Sequence, residues 1–457
     1  MANKPSLPQG MRDFTAATLR KRNFILSAIR RIFELYGFEP LETPAMENLE
    51  TLMGKYGEEG DRLIFKVLNN GLNDPKNAEK ARTAFDQVMQ GKNSADLTER
   101  ALKYDLTIPF ARFVAMNHGQ LTFPFRRYQI QPVWRADRPQ KGRYREFTQC
   151  DADVVGSRSL LNEVELIEIY RSVFSNLGMT DVTVCINSRK ILTALASVCG
   201  GSDKIGIIAT AIDKLDKAGL EKVLMELAEK GIASGHIEII KRYLAISGSN
   251  EEKLSDLKIL IGNEPTGAEG IADLAFLCEK AGNKNLRVDP TLARGLDYYT
   301  GTILEVRPPD TVKIGSIGGG GRYDDLTGLF GVPGIPGVGI SFGIDRIFDV
   351  MEELDLFPDQ IHKGSSALFF NLGEKESAAA FQCMQLLRGA GISCELYHES
   401  AKMDKQFKYA EKKNIRNAVI IGSRELEAEQ AVIKELSTGK QETVSFKELP
   451  AFFKNGN

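Results

Sequence analysis

The 457-residue chain is poor in the residues that announce metal or redox chemistry. It has four histidines (His118, His236, His362, His398) and no His-Glu-x-x-His stretch, which argues against a metal site built from imidazoles. Its six cysteines (Cys150, Cys185, Cys199, Cys278, Cys383, Cys394) are scattered, without zinc spacing. They read as reduced, mostly packed thiols of a cytosolic protein. No apolar run approaches the roughly eighteen residues of a membrane span, and Met1-Ala-Asn-Lys-Pro-Ser6 has no apolar signal core. Two nucleotide motifs are also missing. The tetraglycine Gly318–Gly321 is followed by Arg322-Tyr323 and not by Lys-Ser or Lys-Thr, and Gly337-Val-Gly339 lacks a third glycine at the dinucleotide spacing. A net charge of −2 excludes a general nucleic-acid coat but permits a local basic surface.

What is present falls into segments. Phe24, Ile25, Ala28, Ile29, Ile32, Phe33 and Tyr36 recur at helical spacing, which predicts a helix over 19–38 stopped by Gly37. Phe38 to Pro44 must then run extended, because each proline disfavours helix before it. Residues 69–96 are polar and turn-rich, a surface excursion with one short helix. Residues 188–281 are rich in Ala, Leu, Lys and Glu at helical periodicity. Strand patterns return from Val288 up to a helix over 344–354. From Ala367 onward short strands and helices alternate as in a separate α/β domain. The expected division is 1–187 and 286–360 as two parts of one core, 188–285 as a mostly helical insertion, and 366–457 as the last domain.

The chemistry concentrates in a long-looped hairpin. Arg126 to Arg135 and Arg143 to Val155 both alternate like strands. Arg135, Arg143 and Arg145 bracket the turn, so several guanidinium groups can converge, each able to bind phosphate oxygens bidentately and unable to lose its charge.

Three stretches together resemble the three motifs of class II aminoacyl-tRNA synthetases. They are Glu34-Leu-Tyr-Gly-Phe-Glu-Pro-Leu-Glu-Thr-Pro44, then Trp134 to Gln149, then Gly337-Val-Gly-Ile-Ser-Phe-Gly-Ile-Asp-Arg346. The last two depart from the usual pattern by carrying Asp137 and Asp345 where the class commonly has glutamate; the charge is kept. Leu292-Ala-Arg-Gly-Leu-Asp-Tyr-Tyr-Thr-Gly301 and Gly318-Gly-Gly-Gly-Arg-Tyr-Asp324 are similar to the two signatures of histidyl-tRNA synthetases. Leu102-Lys-Tyr-Asp-Leu-Thr-Ile-Pro-Phe-Ala-Arg112 and Leu7-Pro-Gln-Gly-Met-Arg-Asp13 add further matches, so the resemblance covers nearly the whole chain.

The resemblance implies an α+β fold: a class II antiparallel sheet flanked by helices, a helical insertion, and a C-terminal α/β anticodon-binding domain. It implies ATP with Mg2+, L-histidine and tRNA(His) as partners, and a homodimer formed through the first motif. Arg135 would contact the α-phosphate and Arg143 the γ-phosphate; Phe147 would stack on adenine, and Arg346 would bind the nucleotide. Arg138, Gln140 and Lys141 would approach the tRNA acceptor end. No metal ligand is assigned.

A neutral imidazole offers one donor and one acceptor, so a selective pocket needs one of each. Asp153 can accept, and Tyr299 or Tyr323 can donate; Tyr298 belongs to the same signature. Asp105, Thr107 and Gln149 could receive the substrate ammonium. Arg294 is the expected catalytic residue, a cation between the attacking carboxylate and the phosphate, two groups that otherwise repel. The basic helix carrying Lys402, Lys405, Lys408, Lys412 and Lys413 suits a phosphate-facing surface or a solvated face. The competing reading is a catalytically silent relative that senses histidine or tRNA in regulation; such relatives lose the arginines or the last domain, and here Arg135, Arg143, Arg294 and Arg346 are all present.

Overall fold

A computed structural model describes residues 4–140, 142–293, 298–358, 361 and 364–455. Arg294, Asp297 and Lys141 lie outside the described residues. Residues 1–15 and 21–356 form one compact unit, and 357–457, with Ala16–Arg20, form a second.

The first helix, α1 (Ala16–Leu35), buries Ile25, Ile29, Ile32 and Phe33. It lies about three residues earlier than its periodicity suggests. Gly37 takes φ +74°, and the Phe38 N–H bonds back to the Phe33 carbonyl at 3.0 Å. This is a left-handed glycine cap, fastened by the Phe33–Phe38 ring contact at 6.2 Å. The chain therefore turns straight from the helix into the strand β1 (Glu39–Pro40).

Seven further strands complete the main sheet: β2 (Phe125–Trp134), β3 (Glu146–Val155), β4 (Thr183–Ser188), β5 (Leu286–Val288), β6 (Thr302–Arg307), β7 (Gly318–Arg322) and β8 (Gly337–Gly343). Their order is β1-β2-β3-β8-β7-β6-β4-β5. The six inner strands pair antiparallel, while β1 and β5 are parallel edges. Helices cover one face. Phe342 of β8 meets Phe33 of α1 at 5.8 Å and Tyr170 of the helix Leu161–Asn176 at 4.9 Å. Burial of such aromatic area dominates the energetics of this layer.

Between β4 and β5 the chain is helical, with Arg189–Val198, Leu220–Glu229, Ser234–Leu244, Asn250–Ile261 and Pro265–Ala281 among its helices. The polar excursion carries a helix at Ala78–Met89 that buries only Ala84. Five of the six cysteines are buried and none is disulfide-bonded. Among the described residues no helix is long and apolar enough to cross a membrane.

The second unit is a five-stranded sheet: β9 (Ala367–Phe369), β10 (Cys394–Leu396), β11 (Asn417–Ile420), β12 (Gln430–Glu435) and β13 (Gln441–Ser445), in the order β10-β9-β11-β12-β13. The parallel strand β9 is buried on both faces. Phe369 packs with Met384 and Leu387, while Leu368 packs with Ala410. The basic helix spans Met403–Lys412; the lysines at 405, 408 and 412 on it and at 402 and 413 capping its ends are exposed. Of these, Lys413 pairs with Glu395 at 2.7 Å.

Candidate active site

Strand β3 has a period of two, so Phe147, Gln149, Asp151 and Asp153 share the face opposite the helices. The antiparallel register with β2 sets Arg127 beside Asp153 and Gln129 beside Asp151. On the other side Gly339 stands beside Asp153, Ser341 beside Asp151 and Gly343 beside Gln149. Gly319 and Gly321 of β7 continue the row, followed by Glu305 and Ile303 of β6. On β7 and β8 this face carries glycines and Ser341, and a cleft of about 510 Å³ opens above it.

The glycines are spatial necessities. A Cβ on Gly339 would lie 1.9 Å from the Asp153 carboxylate, and one on Gly337 would lie 2.4 Å from the Tyr323 ring. Each glycine clears the volume that a cleft residue occupies.

The cleft brings together Asp105, Thr107, Arg135, Arg143, Phe147, Gln149, Asp153, Tyr298, Tyr299, Tyr323 and Arg346, all of which line it. The Arg135 guanidinium lies over Tyr104 at 4.2 Å and over Phe147 at 5.2 Å, and its Nε donates to the Tyr104 carbonyl at 3.0 Å. Arg143 is exposed and reaches Asp137 at 3.4 Å. Arg346, near the start of the helix Ile344–Glu353, donates to the carbonyls of Ser316 at 2.7 Å and Gly142 at 3.3 Å. The third hairpin arginine, Arg145, turns instead to the Asp137 carbonyl at 3.0 Å. Arg138 and Gln140 are exposed at the hairpin turn, where Gln140 and Arg143 exchange backbone hydrogen bonds.

At the far end, Asp153 accepts a short hydrogen bond from the Tyr323 hydroxyl. It also pairs with Arg127 at 2.9 Å, and Arg127 is fully buried with its guanidinium 4.1 Å from the Phe110 ring. Asp105 precedes the helix Thr107–Asn117 and accepts from the Ile108 N–H at 3.1 Å, the positive end of the helix. The hydroxyls of Tyr56 at 2.9 Å and Tyr298 at 3.4 Å also donate to it. Burial raises Asp105, Asp151 and Asp153 above the ordinary carboxylate range, Asp151 to about 7. Burial likewise raises the hydroxyls of Tyr298, Tyr299 and Tyr323, so they remain donors.

Sequence reasoning passed over Arg127, Asp151, Tyr56 and Glu305. The strand period already places Asp151 with Asp153. The role of Arg127 depends on register, and that of Tyr56 on a contact across 49 residues. Asp345 has a purpose beyond preserving charge. It accepts from Arg12 at 2.5 Å and Arg22 at 2.6 Å, which fastens the N-terminal segment and α1 beside the cleft.

Comparison with known proteins gives a concordant result. A family model described as histidyl-tRNA synthetase matches residues 76–347, and one described as an anticodon binding domain matches residues 367–456. A histidine–tRNA ligase of Flavobacterium johnsoniae is 48% identical over 98% of this chain and 99% of its own. One from Bacteroides fragilis is 51% identical, with the same coverage of each chain. The crystal structure of histidyl-tRNA synthetase from Nostoc sp. PCC 7120 superposes with a TM-score of 0.81 at 30% identity, covering 100% of both chains. An antiparallel sheet with an arginine- and carboxylate-lined cleft, an anticodon binding domain, and full-length relatives near half identity agree: the chain belongs to the histidyl-tRNA synthetase family, the aminoacyl-tRNA synthetases that join histidine to tRNA.

Proposed function

We propose that this cleft binds histidine and ATP side by side, forms histidyl-adenylate with release of pyrophosphate, and passes histidine to the 3′ end of tRNA(His). In the first step a histidine carboxylate oxygen attacks the α-phosphorus, and the bond from that phosphorus to pyrophosphate breaks. In the second a terminal ribose hydroxyl of the tRNA attacks the histidyl carbonyl and AMP leaves. The observation that supports this most strongly is the convergence on one sheet face of Arg135, Phe147 and Gln149 from one hairpin with Tyr298, Tyr323 and Arg346 from segments far along the chain.

Arg135 is held by Tyr104 in a fixed orientation, which suits it to the α-phosphate; the exposed Arg143 suits the γ-phosphate, and Arg346 flanks the nucleotide. Phe147 offers its ring to adenine. Catalysis is then positioning and fixed charge, with no covalent nucleophile. Asp153 is the acceptor for the imidazole and Tyr299 or Tyr323 the donor, Tyr323 serving once its hydroxyl leaves Asp153; a site of this kind rejects near-isosteres by roughly 10⁴–10⁵. Arg294 is assigned to the carboxylate–phosphate contact on the strength of the family signature. Among the described residues no three His, Cys, Asp or Glu side chains converge to hold a metal ion. They do not form a protein-built magnesium site, and Mg2+ would enter on the ATP phosphates.

The division into a core (1–187 and 286–360), a helical insertion (188–285) and an anticodon-reading domain (366–457) is part of the same proposal. So are a homodimer through 34–44, an approach of the tRNA acceptor end to Arg138, Gln140 and Lys141, and a cytoplasmic location. The test is ATP–pyrophosphate exchange with each standard amino acid in turn. Exchange with histidine alone, followed by histidine transfer to tRNA, is the expected result. A folded protein that binds histidine but exchanges with no amino acid would point to a regulatory relative. A monomer at micromolar concentration by light scattering would remove the dimer.

A further inference from the structure

The turn of the hairpin carries Arg143, and contacts from outside the hairpin meet the residues around it. On one side, Gly142 gives its carbonyl to Arg346 at 3.3 Å. On the other, the Arg12 guanidinium lies 3.2 Å from the centroid of the Tyr144 ring. The next residue, Arg145, donates its backbone N–H to the Gly10 carbonyl at 2.9 Å. Arg143 itself reaches Asp137 at 3.4 Å, and its side chain is half-exposed. The N-terminal segment is shaped for this contact. Gly10 takes φ +81°, and a Cβ there would lie 2.8 Å from Pro139 and 2.9 Å from Arg145. Its backbone therefore meets the hairpin both before and after Arg143, at a residue that has no side chain.

Arg12 is fixed in turn by Asp345, at 2.5 Å, in the first turn of the helix Ile344–Glu353. Asp345 is buried and also holds Arg22 at 2.6 Å. The residue after it is Arg346, which holds Gly142. One helix start thus supports both neighbours of Arg143, through Arg346 on one side and through Asp345 and Arg12 on the other. Tyr144 and Arg143 line the cleft, and Arg12 does not.

We infer that Arg12 is a positioning residue for the triphosphate: it fastens Tyr144 to Asp345 and so holds Arg143 where the γ-phosphate of ATP arrives. This rests on the proposed function above and adds to it a residue outside the cleft. A long side chain at a turn loses freedom when it meets a phosphate, and a backbone already set in place reduces that cost of binding. Arginine suits the task. Its planar guanidinium can stack on a ring while its edge N–H groups engage a carboxylate. A lysine is a point charge on a flexible stem, so it keeps the ion pair and loses the planar stacking.

The experiment compares wild type with Arg12→Ala, Arg12→Lys, Arg143→Ala and the double variant Arg12→Ala/Arg143→Ala. Exchange kinetics give KM for ATP and for histidine, and calorimetry gives Kd for Mg-ATP and for AMP, which keeps the adenine and one phosphate and lacks the γ-phosphate. Arg12→Ala should raise KM and Kd for ATP about three- to tenfold. KM for histidine and Kd for AMP should stay within about twofold, the scatter of uncoupled sites. Arg12→Lys should recover part of the loss. In the Arg143→Ala background, Arg12→Ala should add less than about twofold, because the group it positions is gone. Arg22 remains to pair with Asp345 in the alanine variant, and thermal unfolding checks that the fold survives. Should Arg12→Ala fail to fold, Arg12→Lys takes its place in the cycle. Full additivity of the two changes, equal weakening of ATP and AMP, or an unchanged affinity for ATP overturns the inference. Absence of exchange in the wild type would sink the proposed function, while the calorimetric cycle would still decide the role of Arg12.

Discussion

Arg127 and Asp153 face each other across β2 and β3, with a guanidinium nitrogen 2.9 Å from a carboxylate oxygen and both side chains out of contact with solvent. A pair at this depth gains little net stability, because desolvation offsets the attraction. Its value is positional. Arg127 holds one carboxylate oxygen so that the other accepts from Tyr323, which fixes both side chains at the floor of the cleft. Removing the arginine alone strands a buried negative charge. Arg127→Met should lower unfolding free energy by about 3–5 kcal/mol at neutral pH. Denaturant unfolding of the variant checks this, and a loss within 1 kcal/mol would show the pair to be dispensable.

Gly339→Ala would place a methyl group 1.9 Å from Asp153 Oδ1, so the carboxylate must move. Displacement of a positioning group by about 1 Å costs roughly a hundredfold in rate. The expected outcome is that drop in kcat/KM for histidine with KM for ATP unchanged, read by ATP–pyrophosphate exchange.

Arg294→Ala should lower the adenylation rate by the equivalent of about 3–4 kcal/mol if one oriented charge bridges the carboxylate and the phosphate. Single-turnover measurement is the check. A change below about threefold would falsify the catalytic assignment.

Asp151 has a signature in stability. Its folded pKa is raised to about 7 by burial, against an unfolded value near 4. Between these values the folded chain keeps a proton that the unfolded chain has released, so stability falls as pH rises through the window. The penalty is absent below about pH 4 and complete above about pH 7. Asp151→Asn cannot ionise, and without ligand it should be the more stable protein at pH 8, by on the order of a few kcal/mol, with the difference closing towards pH 4. Thermal unfolding at the two pH values measures it. A destabilised Asp151→Asn at pH 8 would mean that the charged form is already satisfied in the free protein.

Much of this molecule follows from local rules. The repeat of Phe24, Ile25, Ile29, Ile32 and Phe33 specifies α1. The alternation in 126–155 specifies the hairpin and already puts Phe147, Gln149, Asp151 and Asp153 on one face. Helix and strand periods are properties of neighbouring residues, so they can be read without the fold. The glycines at 318–321 and 337–339 can be read only as places where something must come close.

What comes close was decided by tertiary structure. The β2–β3 register makes Arg127 the partner of Asp153, and a slip of one residue would turn Arg127 to the other face. The β3–β8 register sets Gly339 under Asp153, and a contact across 159 residues pairs Glu163 with Arg322 behind the tetraglycine strand. The occupancy of each carboxylate is likewise a three-dimensional fact. Three acids in one motif-rich sequence look equivalent, but only packing determines that Tyr56 and Tyr298 engage Asp105, and that Arg127 and Tyr323 engage Asp153. Long-range pairing is set by the balance of burial against charge over the whole sheet, a balance that no local stretch of sequence contains.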